Sequence, residues 1–138
     1  MFMKMTERQS EVVETLLDTI PRGDWAFAYL HSEFRDENGF LAHFEEGFLA
    51  IREPGGIDRA TLPVEADAAS ALERMFRTYQ EAGHGFARLD LVVEADGAYR
   101  FDLDDTPSLV LAGEPDADRP GRLDRRMTEL ARERGMNG

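Results

Sequence analysis

The chain has no cysteine among its 138 residues, which excludes disulfide staples and thiolate metal sites and suits a reducing compartment. No apolar run approaches the length that spans a bilayer, and the opening MFMKMTERQS has no apolar signal-peptide centre, so a cytoplasmic protein with no membrane partner is expected. A glycine-rich phosphate loop, a serine nucleophile elbow and an HExxH helix are all missing, which removes the commonest signatures of nucleotide, esterase and zinc-protease chemistry. His84 stands between Gly83 and Gly85 with no carboxylate or nucleophile beside it in sequence. Basic residues are also scarce: 16 Lys and Arg face 28 Asp and Glu, a net charge of −12. What is present, 42% hydrophobic and 32% charged residues, is the composition of one folded domain over 1–138 rather than of a disordered chain.

The charge is unevenly placed. Residues 1–89 hold 16 acids and 9 bases, residues 90–118 hold 9 acids and only Arg100, and residues 119–138 hold 3 acids and 6 bases. The centre of negative charge is therefore a short stretch near the end, followed by a mildly basic tail. Such a field repels nucleic acid and draws in cationic surfaces, so a basic protein is the expected partner.

Within that stretch, FARLDLVVEADGAYRFDLDD (86–105) reads as a β-hairpin. Leu89, Leu91 and Val93 alternate with polar residues on its first strand; Tyr99, Phe101 and Leu103 do so on its second. A two-residue Asp96-Gly97 loop throws the two apolar triplets onto opposite faces. A three-residue loop, Ala95-Asp96-Gly97, reunites them, with Gly97 in the left-handed conformation of a bulge. That register sets Arg88 opposite Asp104, Asp90 opposite Asp102 and Val92 opposite Arg100. Opposed aspartates do nothing for a strand pair, so the outer face is either plain solvated surface or a partner-binding patch of Asp90, Glu94, Asp102, Asp104 and Asp105.

The rest of the chain supplies a scaffold. Thr6 to Ile20 has helical periodicity with a Thr6/Gln9 capping box, and Pro21 ends it. Strands are expected over Trp25–Arg35, Phe40–Glu45 and Phe48–Arg52, separated by the Asp36–Gly39 turn and a bend at Glu46-Gly47. Asp67 caps a second helix carrying Leu72, Met75, Phe76 and Tyr79 and stopped by Gly83. Residues 105–121 read as loop, and a last helix near Arg122–Arg134 has only Leu123, Met127 and Leu130 as its stripe, which suggests an expendable accessory. The order is α-β-β-β-α-β-β-α, an α+β fold with helices on one face of an antiparallel sheet and its core over about 6–105.

Two constellations stay open. If 36 faces 40, then His31, Glu33, His43 and Glu45 share a face and could hold a metal ion; the alternative is an ordinary polar strand face. Trp25, Phe27 and Tyr29 fall on the opposite parity from Leu30 and Phe34, so a bulge switches the facing, both sheet faces are covered, or the aromatics form a partner surface.

The leading helix ending in Ile20-Pro21, the tryptophan-headed strand at Trp25, the Asp36-Glu37-Asn38-Gly39 hairpin, the second helix and the ending LDLVVEADGAYRFDLDD together resemble the YezG-like immunity proteins over residues 10–105. The resemblance implies a small non-catalytic antidote, without metal or cofactor, that binds and neutralises a toxin, in many cases a nuclease. Asp90, Glu94, Asp102, Asp104 and Asp105 would then meet a basic surface, with Trp25 or Tyr99 as anchors. The same element order is similar to class I chaperones of type III secretion, in which the Trp25/Phe27/Tyr29 surface would hold an extended segment. Either reading fits a monomer or a homodimer.

Overall fold

A computed structural model describes residues 2–136. From the amino end the chain forms α1 (Phe2–Thr19), β1 (Trp25–Glu37), β2 (Phe40–Glu53), β3 (Gly56–Thr61), α2 (Ala66–Glu81), β4 (Arg88–Glu94), β5 (Tyr99–Asp104) and α3 (Arg122–Glu133). The five strands make one antiparallel sheet in the order β3-β2-β1-β4-β5. The α+β class and the element order are those read from the sequence.

One face of the sheet carries the larger core. Ala28, Leu30 and Phe34 of β1 and Leu89, Leu91 and Val93 of β4 meet Val12, Val13 and Leu16 of α1 and Ala68, Ala71, Leu72, Met75 and Phe76 of α2. Phe34 stacks on Phe76 at 5.1 Å, and Phe86 closes edge-on against both rings. The apolar stripes are those the periodicity indicates, but the helix starts differ. Thr6 and Gln9 lie inside α1 rather than forming a capping box, and Gln9 instead donates to the Tyr79 hydroxyl at 2.7 Å. Asp67 sits in the first turn of α2, where its charge suits the helix dipole, while Glu65 takes the cap position.

The helices do not all lie on one side. α3 crosses the opposite face and buries Phe27, Tyr29, Phe48 and Val92 beneath Met127 and Leu130. The last helix is therefore the lid of a second core rather than an accessory. A bulge between Trp25 and Phe27 lets the tryptophan turn to the α1/α2 side while Phe27 and Tyr29 stay under α3. Two of the three explanations for the mismatched aromatics thus operate together.

Strand boundaries shift as well. β2 runs unbroken through Glu46-Gly47, and the break falls at Pro54-Gly55, where a positive φ of 89° at Gly55 makes the turn into β3. Gly47 is required for another reason: a Cβ there would lie 2.3 Å from the Tyr29 carbonyl oxygen. The β1–β2 loop has two residues, Asn38 and Gly39, both at positive φ, which pairs Glu37 with Phe40. That is one step off the register expected from a three-residue loop. The β4–β5 hairpin has the expected register throughout, including Asp90 opposite Asp102.

Candidate functional site

From Phe27 to Glu33 the odd-numbered residues of β1 face α3, so Tyr29, His31 and Glu33 follow one another along the floor of that layer. Asp90 of β4 lies directly opposite His31 in the pairing. The Tyr29 hydroxyl donates to Asp90 Oδ1 at 2.7 Å, and His31 Nδ1 reaches the same oxygen at 2.7 Å. His31 Nε2 meets Glu33 Oε2 at 2.6 Å, and the Ser108 hydroxyl donates to Glu33 Oε1 at 2.6 Å. Carboxylates only accept, so the chain of bonds is complete when His31 carries a proton on both nitrogens.

α3 and the loop before it close this row with cations. Arg122, nearly buried, donates to Glu46 at 2.6 Å and to Asp116 at 3.1 Å and stands 3.6 Å from Glu33. Arg134 grips Glu94 with both ends of its fork, at 2.7 and 2.6 Å, and lies over the Phe27 ring. Arg126 covers the Tyr29 ring. Burial works against charge on Glu33 and Asp90, but the bonds from His31 and Ser108 to the first, and from His31 and Tyr29 to the second, hold both carboxyls below the usual range. Burial, then the neighbouring Asp90, pushes the Tyr29 phenol well above its ordinary value.

Between α3, the loop and the outer face of β4–β5 lies an open cleft of about 400 Å³. Asp90 lies in its wall, and Asp102, Asp104, Asp118 and Glu129 also line it, with Arg88, Arg125 and Arg126 among them. Both donors to Asp90 take Oδ1, which leaves Oδ2 without a protein partner among the described residues. Ser108 gives its proton to Glu33 and not to His31, and both nitrogens of His31 are engaged, so the row does not present a serine nucleophile with its base.

The sequence-selected residues divide into three groups. Asp90 and Glu94 belong to the polar layer under α3 and are already paired; they are not free acids. Asp102, Asp104 and Asp105 are exposed, and Asp104 spends one oxygen on the Thr106 backbone and hydroxyl. Tyr99 is 37% exposed at the sheet edge, whereas Trp25 is half-buried against the α1/α2 core and Phe27 and Tyr29 are wholly interior. The aromatic trio is therefore not an exposed surface.

The four-residue metal arrangement is also corrected. The one-step change of register turns His43 and Glu45 to the α2 side, where His43 stacks on Phe34 and bonds Glu45 and Glu73, away from His31 and Glu33. Among the described residues no group of three or more His, Cys, Asp or Glu is arranged to hold a metal ion. Ser108, Arg122, Arg126 and Arg134 were not singled out by motif. The arginines' one signal in the sequence is the swing from nine acids with a single base in residues 90–118 to six bases in the final twenty, and Ser108 has none.

Compared with known proteins, the chain matches no family model and no curated protein.

Proposed function

We propose that the protein is a non-catalytic antidote that captures a basic partner, of the kind a phosphate-seeking nuclease toxin presents, at the acidic rim formed by β5 and the loop after it. The observation that carries this reading is the division of carboxylates between interior and surface. Under α3 the acids have cations of their own: Glu94 has Arg134, and Glu46 and Asp116 have Arg122. Outside, Asp102, Asp104 and Asp118 are exposed at the cleft, with Asp105 next to Asp104 on the strand side. Arg88, Arg125 and Arg126 also line the cleft, but among the described residues the side-chain ion pair made by these four acids is a 3.4 Å contact between Arg100 and Asp102 in open solvent. A partner's lysine or arginine entering the cleft would find the free oxygen of Asp90 at its wall.

The mechanism is occlusion. A surface that attracts phosphate is electropositive, and an acidic rim seated on it excludes the substrate. Long-range attraction speeds the encounter, while residence depends on a few desolvated anchors. This is the activity that the resemblance to YezG-like immunity proteins implies. The chaperone reading loses its working surface, because Phe27 and Tyr29 are roofed by α3.

Co-expression with each product of the adjoining genes, scored as rescue of growth, tests the proposal. Asp105→Lys with Asp118→Lys is expected to leave thermal unfolding unchanged and to weaken rescue. Rescue undiminished by that pair, or no rescue from any neighbouring product, overturns it.

A further inference from the structure

β5 is an edge strand whose one face is apolar and partly exposed. Two of the four exposed large hydrophobic residues among the described residues, Tyr99 and Leu103, sit on this six-residue strand, with half-buried Phe101 between them. Proline and a bulge do not occur within it, and its three charges, Arg100, Asp102 and Asp104, alternate onto the face opposite the apolar triplet. β3, the other edge, has none of the exposed large hydrophobics.

The backbone decides which residues a new strand would meet. Ala98 and Asp104 direct their carbonyls back toward the β4 side, accepting from Glu94 and Ala87 at 2.7 and 2.8 Å. By alternation, Tyr99, Phe101 and Leu103 turn their N–H and C=O groups to the open edge. We propose that β5 pairs with β5 of a second copy of this chain, antiparallel about a two-fold axis through Phe101, joining two five-stranded sheets into one of ten.

Charge selects that register. With Phe101 on the axis, Tyr99 lies opposite the second copy's Leu103, and Arg100 lies opposite the second copy's Asp102, each pair occurring twice. On the α1 side this makes one stripe of Tyr99, Phe101 and Leu103 from both chains, adjoining the apolar groove of Met5, Gln9, Tyr79 and His84. On the other side it makes two cross-strand ion pairs from residues that within one chain reach each other only at 3.4 Å. Sliding by one hydrogen-bonded step sets Asp102 against its own copy, which like-charge repulsion disfavours. The two clefts then flank the axis on one face, and Asp105 and Asp118 stay outside the pairing.

Light scattering on the full chain is expected to give twice the 15.6 kDa of one chain. Arg100→Asp and Asp102→Arg each place like charges opposite one another twice, and each is expected to weaken self-association about tenfold. The double swap restores it. Because the chain lacks cysteine, Phe101→Cys is expected to form a disulfide-linked dimer on mild oxidation, with Thr61→Cys on β3 remaining monomeric. A monomer at all concentrations overturns the proposal. So does a dimer indifferent to both single charge changes, or a folded double swap that stays monomeric. None of these readouts involves a toxin, so this inference and the antidote reading fail separately.

Discussion

Glu33 has no exposed surface, yet its hydrogen bonds hold its carboxyl below the usual range, and three other side chains, His31, Ser108 and Arg122, are arranged around it. Removing its charge weakens the bonds from His31 and Ser108 and takes from Arg122 one of its three acid neighbours. Glu33→Gln is expected to lower unfolding free energy by about 3 kcal/mol, the usual cost of breaking a buried ion pair from one side, as read from denaturant midpoints. Glu33, Asp90 and Asp116 all have depressed carboxyls, with burial opposing the charge and hydrogen bonds winning. A depressed acid contributes stability above its unfolded value, and that stability is lost as pH falls through the folded one. The α3 layer is thus expected to loosen first on acidification, visible as a change in Trp25-independent probes such as near-ultraviolet tyrosine signal. His43 works in the opposite direction. Its bond to Glu45, against a burial penalty and with help from Glu73, raises its pKa to about 9. Its contribution is complete below the unfolded histidine value and disappears as pH rises through about 9. His43→Gln is expected to flatten the alkaline limb of the stability profile and leave the acid limb in place.

At the scale of elements, the two hairpins show what a sequence can and cannot specify. In β4–β5 one face is apolar and the other charged, so a one-residue slip exposes a whole triplet, and loop chemistry at Gly97 agrees with the pattern. Both constraints point to one register. In β1, burial runs without a break from Ala26 to Phe34. A strand covered on both sides has no polar face to fix its phase, and the choice between two and three loop residues decided everything. The one-step difference separated His31 from His43. The same ambiguity hid the role of α3, whose helix was legible but whose short stripe is seated to a large extent through arginines. β2 was misdivided because Gly47 looks like a breaker, whereas its missing side chain admits the Tyr29 carbonyl. Gly47→Ala is expected to cost more than about 2 kcal/mol, since backbone must move to relieve the clash. Deleting residues 119–138 re-exposes Phe27, Tyr29 and Phe48 at about 2 kcal/mol each, comparable to the net stability of a small domain. That truncated chain is expected to bind a hydrophobic dye and to lose its cooperative melt.

For the molecule as a whole, net charge and charge placement act on different properties. The interior pairs under α3 are shielded, so salt is expected to change stability little. The exposed rim is not shielded, and association with a basic partner is expected to slow steeply as ionic strength rises past the point where the Debye length falls to about 10 Å. Stopped-flow binding across a salt series separates the two, because dissociation should change far less than association.

The position of α3 after all five strands also sets an order of events during synthesis. On the ribosome, all five strands emerge before the helix that roofs Phe27, Tyr29 and Phe48, so a nascent chain passes through a stage with one oily side bare and its buried acids unneutralised. A premature stop between codons 119 and 127, before Met127 and Leu130 are made, would freeze the product at that stage, making it a substrate for quality-control proteases rather than a weakened version of the finished protein.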